Sequence, residues 1–370
     1  MIDPRPAPAS PAIDEFLRAQ VRDGVFPGAS YLVAVDDRVV AEGAVGDAVR
    51  EPETLPAAVG TIYDLASLTK PLATALIAVR LAAAGRLRLD DRLADRLDGW
   101  TISDARGSLT LLDLLTHRSG LPAWDALYAH AADRAGRVAR VASLAPAHPP
   151  LLGVTYSCPN YLLLGFALEK TAGATLEGLF RDLVTTPLGG PEIVYRPARS
   201  LRPRIAATEA GNARERDLAG PAGGSYNAWR SDIIWGDVHD HNAFSLGGVA
   251  GNAGLFGSAR GVATVAREFL PGGQGLLGDE ERALFAHDFT AGLNQRRSVG
   301  FQLAGTPGSA AGPALSGAAF GHTGFTGTSL FVDPATRRIL ILLTNRVHPR
   351  YRDFDMNALR RDFHSLAAGV

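Results

Sequence analysis

The chain has 370 residues, a formal net charge of −1 at pH 7 and a hydrophobic fraction of 46%. A chain of this length can bury a large core in one or two domains, and its composition is typical of globular proteins. The near-neutral charge excludes the strongly basic balance of nucleic-acid-binding proteins, and no run of about 18 apolar residues suggests a membrane span.

The N-terminal segment, residues 1–10, is rich in proline and alanine and lacks the apolar core of a signal peptide. We therefore expect a soluble protein, cytoplasmic as the sequence stands and periplasmic or secreted if an export signal was removed. The single cysteine, Cys158, excludes an intrachain disulfide, so cysteine usage does not identify the compartment.

The N-terminal part of the chain contains both helical and strand patterns. Apolar residues at helical spacing predict a helix over residues 13–22, and two apolar runs at 29–35 and 39–45 predict a β-hairpin. A stretch rich in alanine and leucine then predicts a helix that begins at Ser67 and ends at Gly85.

Helical patterns dominate the middle of the chain, with helices predicted over residues 109–116, 160–171, 176–183 and 259–270. Between Pro187 and Gly257 the sequence is rich in glycine, proline and polar residues. This stretch is long for a loop without secondary structure, so we expect it to contribute to ligand binding.

The C-terminal part returns to strands, predicted over residues 329–332 and 339–343, and closes with a helix over 356–368. Strands near both ends with helices between them predict an α+β fold, in which an antiparallel sheet flanked by terminal helices receives an inserted, mainly helical domain. We assign residues 10–60 and 300–370 to the sheet domain and 61–299 to the helical domain with its specificity loops. A cleft between two such domains is a natural small-molecule site.

Lysine is rare in this chain, because only Lys70 and Lys170 are lysines among the 37 lysines and arginines. Arginine stays protonated in proteins, whereas lysine can lose its proton. Lys70 follows Ser67 by three positions at the predicted helix start, so its amine can approach the serine hydroxyl and act as the base that this weak nucleophile needs. A serine cap followed by an exposed lysine is the alternative.

Two further segments favour the active-site interpretation. Tyr156-Ser157-Cys158 precedes a predicted helix, and Gly321-His322-Thr323-Gly324-Phe325 precedes a predicted strand. Together with Ser67-Leu68-Thr69-Lys70, in this order and spacing, they make the chain resemble the class C β-lactamase and penicillin-binding-protein-like family of serine hydrolases, which also includes D,D-peptidases, amidases and esterases. The resemblance extends from about Phe26 to about Pro349.

This resemblance implies a β-lactamase/transpeptidase-like fold and a role for each matching residue. Ser67 would be the acylated nucleophile, Lys70 its proton acceptor or electrostatic activator, and Tyr156 the partner that takes and returns the proton. Which of Lys70 and Tyr156 is the base stays open, as in a related family. No cofactor is expected.

The strand near the C-terminus would supply the other side of the site. The resemblance implies an oxyanion hole formed by the backbone N–H groups of Ser67 and Phe325. Thr323 and Gly324 would line the cleft from the strand edge, and His322 would face the substrate.

The sequence departs from the β-lactamase pattern at two positions. The second motif ends in Cys158, a weak hydrogen-bonding group, where β-lactamases have an asparagine that binds the acylamino side chain. Asn160 could take this role only if the loop is rearranged. The third motif begins with His322 instead of lysine, so a permanent charge for a β-lactam carboxylate is missing and we expect activity to change near pH 6 to 7 if His322 meets substrate.

The segment His239-Asp240-His241 could supply two metal ligands, but its spacing suggests no third. Polar residues that order the cleft wall are the preferred interpretation, and no metal site is predicted.

These observations predict a serine hydrolase that forms an acyl-enzyme on Ser67 and acts on small esters or amides. A D-alanyl-D-alanine carboxypeptidase or weak β-lactamase is the enzymatic alternative, and a penicillin-type ligand sensor without turnover is the alternative of another class. The expected partner is a small ester, amide or peptide-like molecule, with no nucleic acid and no membrane span.

Overall fold

The computed structural model describes residues 5–97 and 105–370. Its largest sheet contains seven antiparallel strands: β1 Gly28–Val35, β2 Arg38–Val49, β3 Leu55–Pro56, β7 Gln302–Leu303, β8 Phe320–Thr323, β9 Ser329–Asp333 and β10 Arg338–Thr344. Their order is β3-β2-β1-β10-β9-β8-β7, so strands from both ends of the chain meet at the β1–β10 pair. Three short strands, β4 Tyr63–Asp64, β5 Ile193–Tyr195 and β6 Leu255–Gly257, form a second sheet in the order β4-β6-β5.

The described part of the chain also contains the following α-helices: α1 Pro11–Arg22, α2 Leu76–Ala83, α3 Leu111–Leu115, α4 Leu127–His130, α5 Arg134–Ser143, α6 Cys158–Ala172, α7 Leu176–Phe180, α8 Ala213–Ser225, α9 His241–Ser245, α10 Ala259–Ala266, α11 Asp279–Leu284 and α12 Met356–Ala368. Most of them lie between β3 and β7 in the sequence. The α+β architecture with an antiparallel sheet, terminal helices and a mainly helical insertion is therefore confirmed, whereas the exact domain boundaries stay a prediction.

Both faces of the central strands are buried. Along β1, Leu32 and Ala34 point into the larger core, and Tyr31 and Val33 point into a second core on the opposite face. Successive side chains of a strand alternate between faces, so two buried faces require a continuous apolar run. The terminal helices α1 and α12 cover the second face with Leu17, Phe363 and other buried side chains.

One sequence expectation needs correction. The stretch from Pro187 to Gly257 is not a loop without secondary structure, because it contains β5, α8, α9 and β6. Residues Ala66–Ala83 pass a test of length and composition for a membrane-spanning helix. This is weak evidence for a span, because 78% of the stretch is buried inside the fold, as in the core helix of a globular protein.

Candidate active site

Ser67 lies on a tight turn that the surrounding backbone holds in place. Residues Ala66–Leu68 form one 3₁₀ turn, and Ala66 has a φ of +46°, a conformation that non-glycine residues rarely adopt. The Asp64 carboxylate accepts a 2.8 Å hydrogen bond from Ala66 N, and Thr326 Oγ1 donates to Asp64 O at 2.8 Å. These bonds tie the Ser67 turn to the loop after β8 and stabilise its unusual conformation.

Lys70 is the first residue of a π-helical segment, Lys70–Ala75, that leads into α2. The predicted helix therefore begins with one 3₁₀ turn and a wider π turn instead of regular α-helix, an irregularity that is frequent at functional sites. The lysine side chain is fully buried. Its Nζ donates hydrogen bonds to Ser67 Oγ at 3.0 Å and to Asn252 O at 3.0 Å, and it lies 3.6 Å from Cys158 Sγ.

Tyr156 lies just before α6 and faces the same lysine. Lys70 Nζ is 5.0 Å from the centroid of its ring, and the rings of His117 and His322 lie 4.8 Å and 5.7 Å away. Burial raises the pKa of Tyr156, and the nearby Lys70 ammonium offsets only part of this effect. The resting side chain is therefore the phenol.

Burial by itself would lower the pKa of Lys70, because it disfavours the ammonium. When Cys158, Tyr156 and Asp240 are ionised, their negative charge outweighs burial and raises the Lys70 pKa. The resting pair holds the Lys70 ammonium and the Tyr156 phenol, so one proton must leave the pair for solvent before it can accept the serine proton.

The strand β8 and the loop after it close the site opposite Ser67. A Cβ atom on Gly324 would lie 2.1 Å from Thr328 Oγ1 and 2.8 Å from Leu65 O, so only glycine fits here without displacing this loop. Phe325 N has no protein acceptor among the described residues. Its N–H is therefore available to a substrate oxygen.

His322 is buried on β8 and is a neutral acceptor. Its Nδ1 lies 2.8 Å from Thr323 O, which can only accept, so Nδ1 carries the proton. Its Nε2 is buried and has no hydrogen-bond partner in the described structure. Burial, together with the charges of Lys70 and Arg297, holds the pKa of His322 well below 6.5. The expected change in activity near pH 6 to 7 therefore does not follow from His322.

Of the remaining predicted site residues, Cys158, Thr323 and Gly324 line the cavity that contains Ser67, and Asn160 does not. Cys158 lines the cavity with Ser67 and His322, and burial raises the pKa of its thiol. Thr323 and Gly324 line the same cavity. Asn160 does not, because its buried side chain accepts from Ser119 Oγ at 2.5 Å and lies 3.4 Å from His117 Nδ1. It cannot replace the missing asparagine without leaving this network.

Several cavity residues have no motif of their own in the sequence. Arg297 is buried and pairs through Nε and one terminal nitrogen with Gln295 Oε1. Arg346 donates to Phe325 O at 2.9 Å, and Arg360 donates to Gly324 O at 2.7 Å. Only the fold brings these three arginines to the same cavity, since they come from widely separated positions.

The segment His239-Asp240-His241 lies against the site, but its side chains already have protein partners. His239 Nε2 is 2.9 Å from Glu209 Oε2, while its ring stacks on Phe325 with centroids 5.5 Å apart. His241 Nδ1 lies 3.0 Å from Asn212 Oδ1, and His241 Nε2 lies 3.1 Å from Tyr226 OH. The described residues contain no group of three or more His, Cys, Asp or Glu side chains that could hold a metal ion.

The cavity that contains Ser67 has a volume of about 570 Å³ and is also lined by Tyr156, His322, Arg297 and Glu215. A larger cavity of about 970 Å³, between Arg199, Trp235 and Phe244, contains none of the predicted site residues. The candidate catalytic residues therefore border the smaller cavity, whose size suits a small molecule.

A serine whose hydroxyl meets a buried lysine, within this α+β fold, defines a serine hydrolase. The chain belongs to the Beta-lactamase family, whose model matches residues 13–364. This match confirms the family resemblance inferred from the three motifs.

Relatives with assigned names extend over most of the chain. A protein of Escherichia coli (strain K12) named "Putative D-alanyl-D-alanine carboxypeptidase" is 31% identical over 376 residues, which cover 93% of this chain and 84% of the relative. A protein of Salmonella gallinarum with the same name is 29% identical over 367 residues, covering 91% of this chain and 82% of the relative.

Solved structures with the same fold include EstCE1, a hydrolase with promiscuous acyltransferase activity. It superposes with a TM-score of 0.71 at 22% identity, covering 95% of this chain and 97% of that one. A class C β-lactamase from Rhodobacter sphaeroides superposes with a TM-score of 0.70 at 18% identity, covering 96% and 99%. At these identities the likeness concerns the fold.

Proposed function

We propose that the chain hydrolyses small esters or amides through an acyl-enzyme on Ser67. The observation that carries this proposal is the 3.0 Å contact between Lys70 Nζ and Ser67 Oγ, in a cavity bordered by the free N–H of Phe325. A buried amine that becomes a base when it loses its proton, placed beside a serine hydroxyl, is the arrangement that nucleophilic catalysis requires.

In the proposed reaction the Lys70–Tyr156 pair has first lost one proton to solvent. Ser67 Oγ then attacks the substrate carbonyl carbon and its proton passes to this pair. The N–H groups of Ser67 and Phe325 stabilise the negative oxygen of the tetrahedral intermediate. Tyr156 OH then returns a proton to the leaving group as the carbonyl–leaving-group bond breaks. Water then attacks the ester of Ser67 and passes a proton to the same pair. The pair returns this proton to Ser67 Oγ as the acyl–oxygen bond breaks, so the acid is released and the serine is restored.

Esters are the preferred substrates because the two polar anchors of a β-lactam are altered. Cys158 lies next to Lys70, at the position where a side-chain amide would bind the acylamino group of a β-lactam. The amide of Asn160 cannot replace it, because it bonds to Ser119. His322 is neutral and offers an acceptor, so it gives no charge to a carboxylate. Both features leave acyl transfer itself intact.

A serine-directed fluorophosphonate probe tests the nucleophile. Wild-type protein should be labelled, Ser67→Ala should not, and the exposed control Ser143→Ala should be labelled like wild type. Labelling that persists unchanged in Ser67→Ala would remove Ser67 from the mechanism.

A second candidate function is a D-alanyl-D-alanine carboxypeptidase, favoured by Arg297. This buried guanidinium lines the cavity and has no carboxylate partner among the described residues, so it could bind the terminal carboxylate of a peptide. The names of the Escherichia coli and Salmonella relatives point the same way.

Comparing a p-nitrophenyl ester, a D-alanyl-D-alanine peptide and a chromogenic cephalosporin separates these candidates. If the peptide is the substrate, Arg297→Gln should raise its KM at least about tenfold and leave ester hydrolysis nearly unchanged. Arg296→Gln is the matched control, because Arg296 is partly exposed, pairs with Asp288 and does not line the cavity. A stoichiometric burst without turnover on every substrate would instead favour a ligand sensor.

A further inference from the structure

Asp240 is connected to Lys70 through Asn252. One carboxylate oxygen of Asp240 accepts from Asn252 Nδ2 at 3.0 Å, and the main-chain O of Asn252 accepts from Lys70 Nζ at 3.0 Å. The chain Asp240–Asn252–Lys70 thus leads from a partly buried carboxylate to the lysine beside the nucleophile.

Asp240 itself is fixed from the other side. Its second carboxylate oxygen accepts from Ala243 N at 2.8 Å and caps the N-terminus of α9. A cap of this kind locks the side-chain rotamer, so the oxygen that meets Asn252 has a defined position.

The turn that carries Asn252 is also held by close backbone packing. Thr74 Oγ1 donates to Gly251 O at 2.7 Å, and a Cβ atom on Gly251 would lie 1.9 Å from Tyr161 O on α6. Asn252 is 1% exposed, and its Oδ1 has no partner in the described structure. The Asn252 side chain is therefore held through its Nδ2 by Asp240 and also faces the Cys158 thiol.

We infer that Asp240 is a positioning residue of the hydrolase, which holds the Asn252 carbonyl against Lys70 and places a fixed negative charge behind the lysine. The inference rests on the proposed acylation of Ser67. It gives the segment His239-Asp240-His241 a task that requires neither a metal nor contact with substrate.

The charge has a defined consequence for Lys70. The titratable and charged groups that face the lysine are Tyr156, Cys158, Asp240, Tyr161, His117 and His322. Among these, Asp240 raises the pKa of Lys70 without a hydrogen bond to it. Replacing its carboxylate by an amide should therefore make Lys70 lose its proton at lower pH.

Three variants separate the positioning effect from the charge. Asp240→Asn removes the charge and can keep a hydrogen bond, since the unpartnered Asn252 Oδ1 can accept from the new amide. Asn252→Ala keeps the carbonyl and the Asp240 charge but removes the anchor. Asp237→Asn, at an exposed acid three positions before Asp240, is the matched control.

The measurement is the rate of Ser67 labelling by the fluorophosphonate between pH 6 and 10, with thermal unfolding recorded for each protein. We expect Asp240→Asn to shift the midpoint of the pH–rate curve to lower pH by about half a unit or more. Asn252→Ala should slow labelling about tenfold or more without this shift. Asp237→Asn should match wild type.

Curves for Asp240→Asn and Asn252→Ala that superpose on the Asp237→Asn curve would overturn the inference. If Asp240→Asn does not fold, Asn252→Ala decides, and unchanged labelling there overturns it as well. Absence of labelling in the wild type would instead contradict the proposed function, so the two failures are distinguishable.

Discussion

The Nζ atom of Lys70 lies 3.0 Å from the Oγ atom of Ser67, and both residues belong to the irregular start of one buried helix. The 3₁₀ turn and the π turn replace regular α-helix at this point. The lysine is also fixed by the Asn252 carbonyl, so its amine has little freedom to leave the serine.

Substitution of Lys70 by arginine is expected to lower kcat/KM for a p-nitrophenyl ester by more than about two decades. Arginine keeps the positive charge but cannot accept the serine proton, and its planar group is larger than the space around an ammonium. Steady-state hydrolysis measures the effect, and near-normal turnover would contradict a role for Lys70 in proton transfer.

Substitution of Gly324 by alanine should disturb the oxyanion hole. The new Cβ would lie 2.1 Å from Thr328 Oγ1 and 2.8 Å from Leu65 O, so the loop that carries Phe325 N must move. Loss of one oxyanion donor costs about 10²–10³ in kcat, and we expect a reduction of at least tenfold.

Gly317→Ala is the control for Gly324→Ala, because nothing lies within 4 Å of a Cβ atom at that position. It should retain wild-type kcat and a wild-type melting temperature. Equal kcat values for the two variants would show that Gly324 does not set the position of the oxyanion donor.

His322 should stay neutral during catalysis at pH 6 to 8, because burial and the charges of Lys70 and Arg297 hold its pKa well below 6.5. The ratio of kcat/KM between wild type and His322→Gln is therefore expected to be constant over this range. A ratio that changes around pH 6.5 would mean that the imidazole titrates there.

Glu215 should make the fold less stable as the pH rises. Burial raises the pKa of this carboxyl from 4.5 to about 7, so the folded state binds its proton more tightly than the unfolded state. The free energy of unfolding therefore falls progressively from about pH 4.5 to about pH 7. Above that range the ionised Glu215 lowers it by up to about 3 kcal/mol relative to low pH.

Denaturant unfolding of Glu215→Gln tests this expectation. The amide can accept from His241 N as the carboxylate does, so the variant should be more stable than wild type at pH 8 and similar at pH 4.5. A variant that is equally destabilised at both pH values would argue that Glu215 acts through packing and not through its charge.

The sequence alone determined the family, the α+β fold and the nucleophile candidate, because each depends on local patterns. Short apolar runs predicted β1 and β10, and helical patterns predicted α1 and α12. Three short motifs at fixed spacing pointed to Ser67, Lys70 and Tyr156. A motif fixes residue type and local geometry together, so it can be recognised without the rest of the chain.

Only the tertiary structure decided which polar residues surround the motifs. Asn160 bonds to Ser119 at the N-terminus of α6 and does not line the cavity. Arg297 lines the cavity and Asn252 bonds to Lys70, although both come from loops without a sequence signature. The protonation of His322 was also decided by the fold, since its sequence neighbours do not reveal burial beside two cations. Burial and long-range contacts have no local signal, and they set the charge and position of the groups around Ser67.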